Sequence, residues 1–297
     1  MLPKHIHRVL CTTAVLLTLA GTPGFARKPG DPLKPGFNLF SKEQDAELGN
    51  KAAAEVRRKY KIVDSKALQD YVKRVGDRLA STPEARESGF PFSFTMVVDP
   101  SVNAFALPGG PMFIQTGLFK PLDNEAQLAG VMAHEMSHVI LRHGTHQATK
   151  AQGVGLLASL ATAAVGDKST VAQIMDGAIN LGANSWMLHY SRDAESEADA
   201  LGSHMMAEAG WDPEQLAQFF LKLNGAEAGS SSARLLQQFR SDHPNPVNRE
   251  LAIQAEARAL PRRQYGYTTG DFERVKRQVM LIPEPPPAPA QPAPAPR

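Results

Sequence analysis

Cysteine is all but missing from this chain. It has one in 297 residues, Cys11, so a disulfide framework is excluded and no disulfide partner is expected. An excess of charge of one sign is also missing. Lys and Arg number 32 against 30 Asp and Glu, a formal net charge of +2. Binding to a phosphate backbone needs a basic surface, so nucleic acid is not an expected partner. Long apolar runs are missing too. Val9–Ala20 and "GVGLLASLATAAVG" at 153–166 both fall short of the roughly 20 residues that cross a bilayer. No internal repeat is visible.

What is present is a 42% hydrophobic composition, enough for one sizeable core, with too few charges for a disordered chain. Lys4, His5, His7 and Arg8 precede the apolar run 9–20, and "GTPGFA" follows it. This reads as a secretory signal peptide at 1–26, cleaved after Ala26; an uncleaved anchor is the alternative. Cleavage removes Cys11, Lys4 and Arg8 and no acid, which cancels the net charge. The Pro- and Gly-rich residues 27–40 read as an extended arm. Residues 283–297, "PEPPPAPAQPAPAPR", read as a stiff, unpacked tail. Between them, 41–282 reads as one domain.

Within that domain Ser41 reads as a helix N-cap, with acids early and bases late in the run that follows. Leu68, Val72, Val75 and Leu79 recur at helical spacing over 66–80. "FPFSFTMVV" at 90–98 and "MFIQTGLF" after the Pro-Gly-Gly turn at 108–110 read as a hairpin-like pair of strands leading into a helix. Asp123 reads as the cap of that helix, over 124–141. Further helices are expected within 172–190, at 193–208, after Asp212-Pro213 and over 247–260. Residues 225–232 read as a flexible loop, and 153–166 as a buried or lid-like helix.

The chemistry is concentrated in "AHEMSHVILRHG", 133–144. His134 and His138 are four apart, which on a helix puts both imidazoles on one face, about 5–6 Å apart at Cβ. That suits two ligands of one zinc ion. Glu135 projects about 100° away and reaches a metal-held water without ligating. A third histidine at the "HExxHxxGxxH" spacing is absent, since 141 is Leu and 144 is Gly. His143 and His146 read as solvated or supporting residues. The third ligand must then be remote. "SRDAESEADALG" at 191–202 offers Glu195 and Asp199 on one face: Glu195 is a zinc ligand or one acid on an ordinary charged helix face. Asp199 one turn on is placed to hold a ligand histidine. Glu197 points elsewhere and reads as solvated.

The segments 102–118, 134–138 and 191–202 together resemble the M48 family of zinc metallopeptidases, and most nearly its secreted bacterial periplasmic branch, concerned with outer-membrane protein quality control. The resemblance covers most of 41–260. It implies an α+β fold, a mainly helical zincin-like core with a small β-sheet. It implies one Zn2+ per chain held by His134, His138 and Glu195, with Glu135 as catalytic base and Asp199 supporting a ligand histidine. It further implies a substrate cleft bordered by Asn103, Ala104, Phe105, Ala106 and Leu107. In "DHPNPVNR" it implies His243 as an inhibitory fourth ligand and Arg249 near the site; His243 as a loop residue without a role is the alternative. The chain after Leu260 shows no tetratricopeptide repeat of the kind such relatives often carry.

The expected activity is zinc-dependent endopeptidase cleavage of misfolded or unassembled envelope polypeptides in the periplasm, with peripheral association with the outer membrane. The rival is a chaperone-like client-binding protein with little proteolysis. For Phe105, Leu107 and Phe113, ordinary core packing is the competing reading.

Overall fold

Ser41 does open the first helix. The computed structural model describes residues 27–150, 190–225, 239, 241, 243–244, 248–261 and 263–284. In it α1 runs Lys42–Lys59, and the Ser41 hydroxyl accepts from the Gln44 backbone N–H while the Gln44 side chain accepts from Ser41 N–H. This reciprocal cap satisfies two donors that helix geometry leaves over. Helix α2 (Lys66–Ala80) buries Leu68, Val72, Val75 and Leu79, the periodic stripe, together with Tyr71. A short α3 (Pro83–Ser88) starts on proline, where the missing N–H costs nothing.

Four strands follow the order β1-β2-β4-β3: β1 (Lys61–Ile62), β2 (Ser93–Val98), β3 (Ala104–Ala106) and β4 (Pro111–Gln115). The expected hairpin between 90–98 and the strand after the Pro-Gly-Gly turn is not what forms. β2 and β4 are parallel, in register from Ser93 opposite Pro111 to Val97 opposite Gln115. The reason is that the intervening chain holds a strand of its own. β3 pairs antiparallel with β4, Phe105 opposite Phe113, so β4 returns in the direction of β2. The turn between them needs left-handed backbone at Gly109 (φ +78°) and Gly110 (φ +115°), which glycine adopts without steric cost.

β4 is central and buried along its length. Its side chains alternate as a pleated strand requires. Met112 and Ile114 enter the main core, while Phe113 faces Ala52, Ala53 and Val56 of α1, with Val97 and Leu107. β3 is one edge of the sheet and β1 the other.

Helix α4 (Glu125–Ile140) is the centre of the main core and is buried on almost every face, as an apolar helix inside a domain must be. Asn124, not Asp123, caps it: the Asn124 side chain accepts from Gln127 N–H at 3.0 Å, while Asp123 pairs with Lys222. Helices α5 (Arg192–Ala209), α6 (Glu214–Gly225), α7 (Arg249–Ala259) and α8 (Phe272–Met280) complete the fold. α5 packs tightly on α4 at Gly202, where a Cβ would sit 3.2 Å from the backbone nitrogen of His134.

The mainly helical α+β reading therefore holds. Residues 27–40 form neither helix nor strand and are tied down by Arg27 and Gly30 N–H on Glu256 and by Asn38 on Thr145. Among the described residues no helix is long and apolar enough to cross a membrane. The expected signal peptide, the 153–166 helix, almost all of the 172–190 helix, all of the 225–232 loop but Gly225, which ends α6, and all of the Pro/Ala tail but residues 283 and 284 lie outside the described residues.

Candidate metal centre

Two helices and one loop residue build the site. α4 presents His134 and His138 on one face. α5 is capped by Ser191, whose hydroxyl accepts from Ala194 N–H, and the helix sets Glu195 and Asp199 against α4. His243 approaches from the chain before α7.

The donor atoms of His134, His138, Glu195 and His243 all lie within 4.8 Å of one another, and all four residues are buried. Five separations are tighter. His134 Nε2 is 3.1 Å from His138 Nε2 and 3.3 Å from His243 Nδ1. Glu195 Oε1 is 3.4 Å from His138 Nε2 and 3.2 Å from His243 Nδ1, and Glu195 Oε2 is 3.4 Å from His134 Nε2. Four ligands held about 2.0–2.1 Å from a tetrahedral zinc ion lie about 3.3 Å apart. The donor set, three imidazoles and a carboxylate, is also zinc chemistry. The residues present therefore fit the ion.

His134 turns its other nitrogen to Asp199: Nδ1 lies 3.0 Å from Oδ1. That contact fixes the tautomer with Nε2 free to ligate. Arg249 binds the same Asp199 oxygen at 2.7 Å and Glu195 Oε2 at 3.3 Å, and its guanidinium lies 3.4 Å from the centre of the Phe220 ring. Glu135 stands beside the cluster. Its Oε2 accepts from Ala106 N–H at 3.3 Å. Its Oε1 is buried without a hydrogen bond, although His243 Nε2 lies 3.2 Å away in poor geometry for one.

Burial pushes ionised groups toward neutrality, yet surrounding imidazoles hold Glu195 well below the usual carboxylate range and Glu135 below it. For His243 burial works downward, but Glu195 and Glu135 override it and push the ring up to about 10. Burial takes His138 down to about 3.

The residues singled out in the sequence thus come together: His134, Glu135, His138, Glu195, Asp199, His243 and Arg249. In the strand segment, Asn103, Ala104 and Leu107 are buried, and only Phe105 and Ala106 are partly exposed. Phe105 stacks on Phe113, so core packing claims part of it. Two neighbours had no signal in the sequence. Tyr190 stacks on His138 with ring centres 3.9 Å apart, and Phe220 carries Arg249; each sits far along the chain from its partner. Glu197 is half-exposed rather than fully solvated and bonds His143. His143 is buried and His146 partly so.

The model of Peptidase family M48 matches residues 66–257. The beta-barrel assembly-enhancing protease of Escherichia coli (strain K12) is 30% identical over 213 residues, 69% of this chain and 42% of that protein. Its counterpart in Vibrio cholerae matches at 30% over 225 residues, 74% of this chain and 45% of that protein. The mitochondrial metalloendopeptidase OMA1 of Schizosaccharomyces pombe is 29% identical over 201 residues, 68% of this chain and 56% of that protein. The chain spans less than half the length of the two bacterial relatives.

Proposed function

The chain belongs to peptidase family M48; from that premise we propose that it is a zinc metalloendopeptidase, that it cleaves misfolded or unassembled polypeptides of the cell envelope and that His243 holds it inactive at rest. The observation that carries this reading is the convergence of four buried residues, His134, His138, Glu195 and His243, with five contacts of 3.1–3.4 Å among them and Glu135 beside them. When bound, zinc supplies a Lewis acid that lowers the pKa of adjacent water and polarises a carbonyl. His134, His138 and Glu195 would hold the ion, and Asp199 and Arg249 keep His134 and Glu195 in place. Glu135 accepts the proton of the attacking water and returns it to the leaving amine. Its free oxygen, Oε1, is the one available, because Oε2 already takes Ala106 N–H.

His243 faces both parties with a single ring. Nδ1 stands among the zinc ligands, and Nε2 covers Oε1 of Glu135. Hydrolysis requires that ring to leave, which makes the resting state latent.

β3 is a sheet edge beside Glu135, so an extended peptide can add to it through main-chain bonds. That mode gives affinity without strict side-chain choice and suits unfolded clients. Phe105 and Ala106 form the exposed part of this cleft. The basic and apolar N-terminus and the name of the bacterial relatives, beta-barrel assembly-enhancing protease, support export to the periplasm with cleavage after Ala26, peripheral association with the outer membrane and envelope polypeptides as substrates. The double contact of His243 also favours a second reading, a client-holding protein that rarely cuts.

The test uses an unfolded outer-membrane barrel polypeptide and follows its fragments. His243→Ala is expected to cut faster than wild type. Adding Glu135→Gln is expected to slow it about 10²–10⁴-fold with zinc still bound. Cleavage that survives Glu135→Gln overturns the base. Substrate binding without cleavage by wild type and His243→Ala establishes the holding reading instead.

A further inference from the structure

We propose that His143 and Glu197 form a relay that fixes His138 for the metal and sets how tightly and how long the chain keeps zinc; this rests on the zinc site proposed above. The two ligand histidines differ in what stands behind them. His134 has a carboxylate directly at Nδ1, 3.0 Å from Asp199. His138 has none. Its Nδ1 faces His143 Nδ1 at 2.8 Å, and His143 Nε2 faces Glu197 Oε2 at 3.1 Å.

Only one arrangement of protons satisfies this chain when His138 ligates through Nε2. A ligating neutral imidazole carries its proton on Nδ1, so His138 Nδ1–H donates to His143 Nδ1. His143 is then the acceptor at Nδ1 and carries its own proton on Nε2, which donates to the Glu197 carboxylate. Each group has one role, and the negative end lies at Glu197. An oriented, electron-rich histidine is a better ligand than a free-swinging one.

The backbone explains why an intermediate imidazole is needed. On α5 Glu195 ligates and Asp199, one turn later, reaches His134. Glu197 lies about 200° round the helix from Glu195 and does not reach His138. On α4 a residue five beyond His138 would lie about 140° away if the helix continued. It does not continue. Arg142 adopts φ +57°, a left-handed conformation rare for a residue with a side chain, and so redirects the chain. Arg142 is anchored there by Nε on Asp45 Oδ2 at 2.6 Å and by Nη2 on the Phe40 carbonyl at 2.5 Å. The bend returns His143, buried, to the side of His138. All three acids of "ESEAD", at 195, 197 and 199, thus serve one ion: one as ligand, two behind the histidines.

The experiment measures zinc dissociation constants by chelator competition, zinc release rates, and the visible spectrum of the cobalt(II) form, on the full chain. His143→Ala is expected to weaken zinc about 10–100-fold, to speed its release and to alter the cobalt bands. Glu197→Gln is expected to have a smaller effect in the same direction, because Glu197 is half-exposed. It leaves the core intact and carries the test if His143→Ala does not fold. His143→Asn puts an acceptor near the Nδ1 position but does not reach Glu197. It is expected to restore part of the affinity, and Glu197→Gln added to it is expected to do nothing further, the non-additivity of a shared path. Affinities and spectra of His143→Ala and Glu197→Gln within twofold of wild type, while wild type binds one zinc and His138→Ala loses it, overturn the relay and leave the metal site standing. A wild type that binds no zinc, or a His138→Ala variant that binds it unchanged, overturns the metal site itself.

Discussion

Asp199 answers to two partners through one oxygen, His134 Nδ1 at 3.0 Å and Arg249 Nη2 at 2.7 Å. Asp199→Asn keeps the shape and removes the charge. The amide oxygen can still accept from both, but Arg249 is left with Glu195, the proposed ligand, as its one negative partner among these groups. Zinc affinity is expected to fall about 10–100-fold, read by chelator competition, with the folded baseline retained in circular dichroism. The part of the site that one helix carries was legible at this scale. His134, Glu135 and His138 declare their geometry because 3.6 residues per turn is fixed before anything packs. Glu195 and Asp199 were legible as a pair with a shared face, one facing the metal and the other a ligand histidine, but that the histidine is His134 was not. Tyr190, Phe220 and the role of His143 were not legible, because each depends on a contact between distant residues or on the left-handed turn at Arg142.

At the scale of elements, the site rests on how near α4 and α5 come to each other. Gly202 permits that approach, since a Cβ there would lie 3.2 Å from His134 N and 3.3 Å from its Cα. Both neighbours are helix backbone, which cannot step aside as a side-chain tip does. Gly202→Ala is expected to destabilise the fold by about 1–3 kcal/mol, the usual cost of overpacking, despite alanine's better helix propensity. Urea titration measures this, and a loss of zinc affinity is expected with it because Glu195 and His134 are carried apart. Helices were easier to read from sequence than strands for the same reason. α2 announces itself through Leu68, Val72, Val75 and Leu79, all local. β2 and β4 were recognisable as apolar runs, but their parallel pairing is decided by β3, three residues long, which enters the sheet on the far side of β4.

Across the whole molecule, Glu256 joins three parts of the chain. It accepts from His204 of α5 at 2.6 Å, from Arg27 at 2.6 Å and from Gly30 N–H at 2.7 Å. Burial alone would raise its pKa, but these donors outweigh burial and bring it from 4.5 down to about 2. A folded-state pKa below the unfolded one means the unfolded chain binds the proton first as pH falls. The stabilisation is therefore complete above about pH 5 and is lost between 4.5 and about 2. The stability difference between wild type and Glu256→Gln, from urea unfolding at a series of pH values, is expected to be constant near neutrality and to shrink through that window.

The near-absence of cysteine acquires a meaning at this scale as well. His134 and His243 are 109 residues apart, and Glu195 and His243 are 48 apart. An ion gripping all of them closes large loops in the chain, the task a sulfur–sulfur crosslink performs in many exported proteins. A chelator should then act here as a reductant acts on those proteins, dropping the melting temperature and not merely silencing the enzyme. The cell's supply of the ion, rather than its oxidising machinery, would govern when this fold is locked.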